Sequence, residues 1–125
     1  MLHTPRSQNG MVTSPHHLAS QAGLSVLKEG GTALEAIVAT GACLATVYPH
    51  MNGLGGDAFF LVCWPDGSMR AVDASGRAAQ AADIEHYKNA GHSTIPSRGA
   101  LAANTVAGAV SGWRALLVCR FAICH

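Results

Sequence analysis

A glycine-rich loop, His50-Met-Asn-Gly-Leu-Gly-Gly-Asp57, leads directly into an aromatic and β-branched run at residues 58–64. Residues of these types favour strands, so the run predicts a buried strand. Turn-forming residues follow at 65–68, and residues 69–74 are the expected return strand. The sequence therefore predicts a hairpin that is entered through a glycine-rich loop.

Two helices are predicted upstream of the loop. Ser14-Pro15 is typical of a helix start, because a hydroxyl N-cap is followed by a proline whose missing N–H does no harm there. Gly30-Gly31 would end this first helix. Thr32 and Glu35 have the spacing of a capping box, which starts the second helix at residues 33–47. Because residues 33–47 are small and apolar nearly all round, we expect this helix to be buried on most sides.

The elements downstream of the hairpin complete a pattern of helices and strands that predicts the layered α/β fold class. They are a helix at residues 79–89 closed by Gly91, a short strand at 101–106 and a helix at 109–117. The glycine loop does not fit a nucleotide site, because it precedes a strand and lacks the GK[ST] ending of a P-loop. Gly53, Gly55 and Gly56 instead predict a close backbone approach between buried layers, or a positive φ at a tight bend.

Composition and charge argue against two classes of partner. Only 12% of the residues are charged, about half the usual share, so we expect much of the surface to be covered by more protein. The formal net charge is +1 with Lys and Arg scattered singly, which argues against nucleic-acid binding. The longest strongly apolar run, residues 34–48, falls short of the ~20 residues of a membrane-spanning helix. Residues 1–9 contain no signal-peptide core, so the expected compartment is the cytoplasm.

No catalytic constellation is visible in the sequence. The histidines show no H-E-x-x-H or H-x-x-x-H pairing, and no serine lies in a G-x-S-x-G elbow. The cysteines lack CxxC spacing and are expected to be small buried hydrophobes. We therefore predict no metal, no cofactor and no catalytic residue within this chain.

Five segments, taken in chain order, carry a resemblance to a known family. The segments are Gly10-Met-Val-Thr-Ser-Pro-His-His-Leu-Ala-Ser-Gln-Ala-Gly23, Leu27-Lys-Glu-Gly-Gly-Thr-Ala-Leu-Glu-Ala36, Val47-Tyr-Pro-His-Met-Asn-Gly-Leu-Gly-Gly-Asp57, Ala71-Val-Asp-Ala-Ser-Gly-Arg-Ala78 and Asn104-Thr-Val-Ala-Gly-Ala-Val-Ser-Gly-Trp113. Together they resemble the opening of the gamma-glutamyltransferases (gamma-glutamyltranspeptidases), and the stretch P-H-M-x-G-L-G-G is specific to that family.

The resemblance implies an N-terminal-nucleophile hydrolase, a four-layer αββα sandwich made as a single precursor, of which this chain is an incomplete N-terminal part. In that family the precursor cleaves itself before a threonine, which becomes the nucleophile and, through its own amine, the general base. That threonine opens a small subunit far downstream, and no threonine of this chain stands in its motif. The implied partners are a small-molecule amide substrate and the missing small-subunit half.

The resemblance also implies where a substrate carboxylate would bind. Family members that act on gamma-glutamyl compounds carry an arginine in a D-x-R-E-type motif, since a guanidinium suits a planar carboxylate. Aligned on Asp73, this position holds Ser75, and Arg77 follows two residues later. The pattern is similar to the branch with oxamate amidohydrolase-like members, which indicates a small carboxylate-bearing amide. Arg77 and Ser75 are the candidate substrate-binding residues, with Arg77 rather than Ser75 expected to meet the carboxylate; the alternative, which stays open, is a surface or structural arginine.

The family-like sequence covers residues 1–117, and residues 118–125 find no counterpart. We therefore expect a truncated or frameshifted family member that is inactive alone and poorly folded by itself. The alternative is a non-catalytic remnant, or a split large-subunit piece that pairs with a separately encoded small subunit. An independent α/β ligand-binding domain ranks last because of the low charge.

Overall fold

The computed structural model describes residues 4–102 and 105–119. Their elements are, in chain order, α1 (His17–Lys28), α2 (Ala33–Val47), β1 (Ala58–Cys63), β2 (Met69–Ala74), α3 (Ile84–Asn89) and α4 (Ala109–Cys119). The chain forms two compact units. The first contains α1, α2 and the part of α4 from Trp113 onward, and the second runs from Leu54 to Gly112.

In the first unit, α1 and α2 pack closely because a glycine lies at their contact. A methyl group on Gly23 would overlap the Thr40 hydroxyl and would lie 2.9 Å from the carbonyl oxygen of Ala36. Thr40 is buried, and its hydroxyl donates a hydrogen bond to the same Ala36 carbonyl at 2.8 Å. A second glycine, Gly41, faces the Trp113 indole at van der Waals distance. Small residues therefore set the spacing of this unit, although α2 is only partly buried along its length, which corrects the expected burial on most sides.

The helix starts in this unit are held by side-chain caps, one as predicted and one not. The capping box at α2 is confirmed: the Glu35 N–H donates to the Thr32 hydroxyl at 3.3 Å, and the Thr32 N–H donates to the Glu35 carboxylate at 2.7 Å. The first helix begins two residues later than Ser14-Pro15 predicts, with His16 as its N-cap. The reason is that the Ser14 hydroxyl donates to the His16 carbonyl at 2.8 Å instead of capping the helix.

The second unit is built on the predicted hairpin. β1 and β2 pair antiparallel with Ala58 opposite Ala74 and Cys63 opposite Met69. In the turn, Gly67 adopts a positive φ of 83° that favours glycine, and the Asp66 carboxylate accepts a hydrogen bond from the Ser68 N–H at 2.8 Å. The turn chemistry of the sequence is therefore confirmed.

The two faces of the hairpin differ in what covers them. On the inner face, Phe60 and Ala74 lie so close to α4 that a methyl group on Gly112 would stand 2.7 Å from the Ala74 Cβ and 2.9 Å from the Phe60 ring. On the outer face, Phe59 and Leu61 are 68% and 70% exposed. β1 is therefore not buried within the described part of the second unit, which agrees with the expectation that much of the surface is covered by more protein.

The glycine loop also differs from its prediction. Gly53, Gly55 and Gly56 are exposed, none has a positive φ, and a Cβ on any of them would meet nothing within 4 Å. Within the described residues, neither a close approach nor a tight bend requires these glycines. The predicted explanation is therefore wrong for this part of the chain.

The elements between the hairpin and α4 are shorter and less regular than predicted, whereas α4 begins at Ala109 as predicted and extends to Cys119. α3 begins at Ile84 rather than at residue 79, because the Asp83 carboxylate caps it by accepting from the His86 N–H at 2.7 Å. Its end is as expected, since Gly91 has a φ of 81°. Leu101 and Ala102 lie in a turn rather than a strand, and residues 103 and 104 of the predicted strand fall outside the described residues.

We predict that the 125-residue chain, expressed alone, is poorly folded. The buried apolar residues of the described part are mostly alanines, whereas Phe59, Leu61 and Met69 are more than half exposed. Each large apolar side chain left uncovered forgoes roughly 1.5–3 kcal/mol, against a typical domain stability of about 5–15 kcal/mol. Thermal unfolding followed by circular dichroism should show a broad transition or aggregation. A cooperative transition from a soluble monomer would contradict this.

Candidate functional site

The candidate binding residues lie on the segment that leaves β2. β2 ends at Ala74, and Ser75, Gly76 and Arg77 follow in an extended connection without regular secondary structure. The side chains of Ser75 and Arg77 are both exposed. The structure therefore places both predicted residues on one short surface segment of the second unit.

Ser75 is engaged by a neighbouring carboxylate. Its N–H donates to Asp73 Oδ1 at 2.8 Å. Hydrogen bonds from the Ser75 hydroxyl, and then from its amide, hold the pKa of Asp73 below its ordinary value. The Ser75 donors therefore already bind the Asp73 carboxylate. The negative charge of Asp73 would repel a substrate carboxylate that approached Ser75.

Arg77 is held by its backbone, while its side chain has no partner among residues 4–102 and 105–119. The carbonyl oxygen of Arg77 accepts a hydrogen bond from the Val106 N–H at 3.0 Å. Next to it, a methyl group on Gly76 would overlap the Val106 carbonyl oxygen, so only glycine fits at that position. The Arg77 guanidinium has no hydrogen bond or ion pair with any other described residue. A fixed backbone with an unpaired guanidinium suits the binding of an anionic group from outside.

Asp57 ties this segment to the glycine loop, and the sequence did not single it out as a site residue. Its Oδ1 accepts a hydrogen bond from the Gly76 N–H at 3.0 Å and lies 3.5 Å from the Thr105 hydroxyl. The hairpin register could have found it, since pairing of Ala58 with Ala74 places Asp57 opposite Ser75.

The residue before Asp57 anchors the start of α4. The carbonyl oxygen of Gly56 accepts hydrogen bonds from the N–H groups of Gly108 and Ala109, both at 3.0 Å. Gly108 immediately precedes α4 and Ala109 is its first residue, and N–H groups at a helix start have no partner inside the helix itself. The loop end is thus joined to the start of α4 by backbone hydrogen bonds, and to the segment after β2 by the Asp57 carboxylate.

A cavity of about 250 Å³ opens beside this segment. It begins at Ala78, the residue after Arg77, and its wall is mainly apolar, with Tyr87 and several alanines. The Thr105 hydroxyl and His86 are among its polar groups. Arg77 is thus next in sequence to a small, mainly apolar recess that Thr105 and His86 also line.

The histidines and acidic residues do not converge on a metal or on a catalytic triad in the described residues. No three His, Cys, Asp or Glu side chains of residues 4–102 and 105–119 come close enough to hold a metal ion. His50 contacts the Tyr48 ring, with the ring centroids 4.3 Å apart, and His16 stacks on His17. No helix in the same ranges combines the length and apolar composition needed to cross a membrane.

Comparison with known proteins gives consistent matches. A family model described as gamma-glutamyltranspeptidase matches residues 19–122. The oxamate amidohydrolase proenzyme of Klebsiella pneumoniae is 58% identical over 107 residues, which is 86% of this chain and 20% of that protein. This chain therefore spans about a fifth of the length of that curated relative.

Two solved structures confirm the predicted fold class. The gamma-glutamyltranspeptidase of Helicobacter pylori superposes with a TM-score of 0.81 at 34% identity, covering 93% of this chain and 34% of that chain. A cephalosporin acylase from Bacillus halodurans gives 0.82 at 38% identity, covering 94% and 22%. The described helices and strands are thus part of a larger N-terminal-nucleophile hydrolase fold. The resemblance carried by the sequence segments is confirmed, and the chain belongs to the gamma-glutamyltranspeptidase family.

Proposed function

We propose that this chain is the opening part of the large subunit of a proenzyme that hydrolyses a small carboxylate-bearing amide such as oxamate. The complete enzyme would cleave itself and use the new N-terminal threonine of its small subunit as the nucleophile. The chain would contribute the binding of the substrate carboxylate. The observation that carries this proposal is Arg77, a guanidinium without a partner among the described residues, on a backbone segment fixed by hydrogen bonds.

Arg77 is a better carboxylate ligand than Ser75 for electrostatic reasons. Ser75 already donates to Asp73, so a substrate carboxylate beside Ser75 would meet a like charge. Arg77 offers a planar pair of N–H donors that matches a carboxylate, and its charge has no partner to give up within the described residues. We therefore assign the carboxylate to Arg77, with Ser75 at its margin.

A small substrate is supported by the size of the neighbouring cavity. Its volume of about 250 Å³ lies below the ~300–1,000 Å³ usual for drug-sized ligands. The relative at 58% identity is named for oxamate, a small amide that carries a carboxylate. Both observations favour a compact substrate over a peptide such as glutathione.

A second candidate is that the chain is a separate large-subunit piece, or a non-catalytic remnant, that pairs with a remainder encoded elsewhere. The exposed apolar outer face of the hairpin favours association with another polypeptide, because this would bury the Phe59 and Leu61 side chains. The DNA directly downstream distinguishes the two candidates, since a separate reading frame led by the threonine would indicate a split gene.

Two further expectations remain proposals. We place the end of the family-like region at residue 117, while the family match itself extends to residue 122. We also propose a cytoplasmic location, which cell fractionation with an antibody against the chain would test.

We predict that a chimera restores function. In it, the aligned part of this chain replaces the 107 aligned residues of the Klebsiella oxamate amidohydrolase proenzyme, to which that part is 58% identical. The chimera should cleave itself into two subunits, seen as two bands on a denaturing gel, and should release ammonia from oxamate. An intact precursor with no activity would contradict the proposed function.

In this chimera, Arg77→Ala should raise the KM for oxamate by about 10- to 100-fold, because a charge-assisted hydrogen bond contributes roughly 1.5–3 kcal/mol. Hydrolysis of oxamide, which has no carboxylate, should change little. The matched control is Arg70→Ala, which removes an exposed arginine from β2 of the same hairpin. An Arg77→Ala variant with unchanged KM and kcat for oxamate would remove Arg77 from the site.

A further inference from the structure

We propose that Asp57 is a positioning residue for substrate binding: its carboxylate holds the backbone before Arg77 and so aims the guanidinium at the substrate carboxylate. This inference rests on the proposed function of Arg77. Asp57 itself would touch neither the substrate nor the reacting atoms. Its role would be to fix the position of the backbone from which the Arg77 side chain extends.

Two hydrogen bonds hold the backbone on either side of the Arg77 Cα. On the N-terminal side, the Gly76 N–H donates to Asp57 Oδ1 at 3.0 Å. On the C-terminal side, the Arg77 carbonyl accepts from the Val106 N–H at 3.0 Å. The direction of the Arg77 side chain is thus set by one bond from Asp57 and one from residue 106.

The bond from Asp57 matters most because it acts on a glycine. Gly76 cannot be replaced by a stiffer residue, since any Cβ would overlap the Val106 carbonyl. Glycine has the widest choice of backbone conformations, so it needs an outside constraint to hold one of them. The Asp57 carboxylate supplies that constraint, with the Thr105 hydroxyl 3.5 Å from the same oxygen.

The exposure of Asp57 separates this role from a structural one. Asp57 lies at the surface, so removing its carboxylate leaves no buried charge or buried cavity. An exposed hydrogen bond adds little to the stability of a fold. The consequence of losing it should therefore be local, confined to the Gly76–Arg77 segment and to the ligand that this segment binds.

The test uses the self-cleaving chimera with Asp57→Ala, Asp57→Asn, Arg77→Ala and the double variant Asp57→Ala/Arg77→Ala. Asp57→Ala should raise the KM for oxamate by about 3- to 10-fold while kcat and self-cleavage are kept, because binding alone is impaired. Asp57→Asn should keep the KM of the unsubstituted chimera, because the amide oxygen of asparagine can also accept a hydrogen bond from the Gly76 N–H. The double variant should be no worse than Arg77→Ala, because the two residues act through one contact.

The matched control is Asp66→Ala, which removes another exposed carboxylate that accepts a backbone N–H, in the hairpin turn. It should leave both KM and self-cleavage unchanged. Oxamide should distinguish the roles further, because Asp57→Ala should not alter the hydrolysis of a substrate without a carboxylate.

Three results would overturn the inference. Loss of self-cleavage, or an equal loss of activity on oxamate and oxamide in Asp57→Ala, would assign Asp57 a structural role. An unchanged KM in Asp57→Ala beside a raised KM in Arg77→Ala would leave the proposed function standing without Asp57. An unchanged KM in Arg77→Ala would overturn the proposed function together with this inference.

Discussion

The second unit depends on one close approach, between the backbone leaving β2 and the backbone entering α4. Glycines make it possible from both sides: a methyl group on Gly76 would overlap the Val106 carbonyl, and one on Gly108 would overlap the Ala74 carbonyl. At this distance the backbones exchange a hydrogen bond from the Val106 N–H to the Arg77 carbonyl. Because the approach leaves no room for side chains, it also fixes where the next side chain, Arg77, must leave the surface.

The same constraint links the glycine loop to the candidate site. Gly56 accepts two N–H groups at the start of α4, and the adjacent Asp57 accepts the Gly76 N–H. The end of the loop is thus hydrogen-bonded both to the backbone leaving β2 and to the backbone entering α4. Meanwhile, the outer face of the hairpin presents Phe59 and Leu61 to solvent. The chain spans a fifth of its relative's length, and its second unit combines the candidate binding segment with an apolar surface left uncovered by the described residues of that unit.

Local signals predicted the parts of the fold that local chemistry decides. The capping box of Thr32 and Glu35, the hairpin turn and the end of α3 at Gly91 each depend on residues within a few positions of one another. The His16 cap was missed because Ser14 is the commoner N-cap residue, and its use on a carbonyl appears only in the folded backbone.

Tertiary contacts explain the remaining differences. The apolar pattern of β1 and the low share of charged residues predict a strand that is covered by more protein, but they do not indicate which of its two faces α4 covers. At the candidate site, Arg77 and Ser75 came from the family resemblance, and whether they bind substrate stays a prediction. Asp57 was missed because its partner Gly76 is distant in sequence and carries no side chain that a motif could record.

The most direct measurement is a crystal structure of the self-cleaving chimera with oxamate bound, its nucleophilic threonine replaced by alanine to stop turnover. If Arg77 binds the substrate, both carboxylate oxygens of oxamate should lie within about 2.7–3.0 Å of its guanidinium nitrogens, the range of charge-assisted hydrogen bonds. The Asp57 carboxylate should still accept a hydrogen bond from the Gly76 N–H. An oxamate carboxylate bound by other residues, with Arg77 turned to solvent, would contradict the proposed role of Arg77.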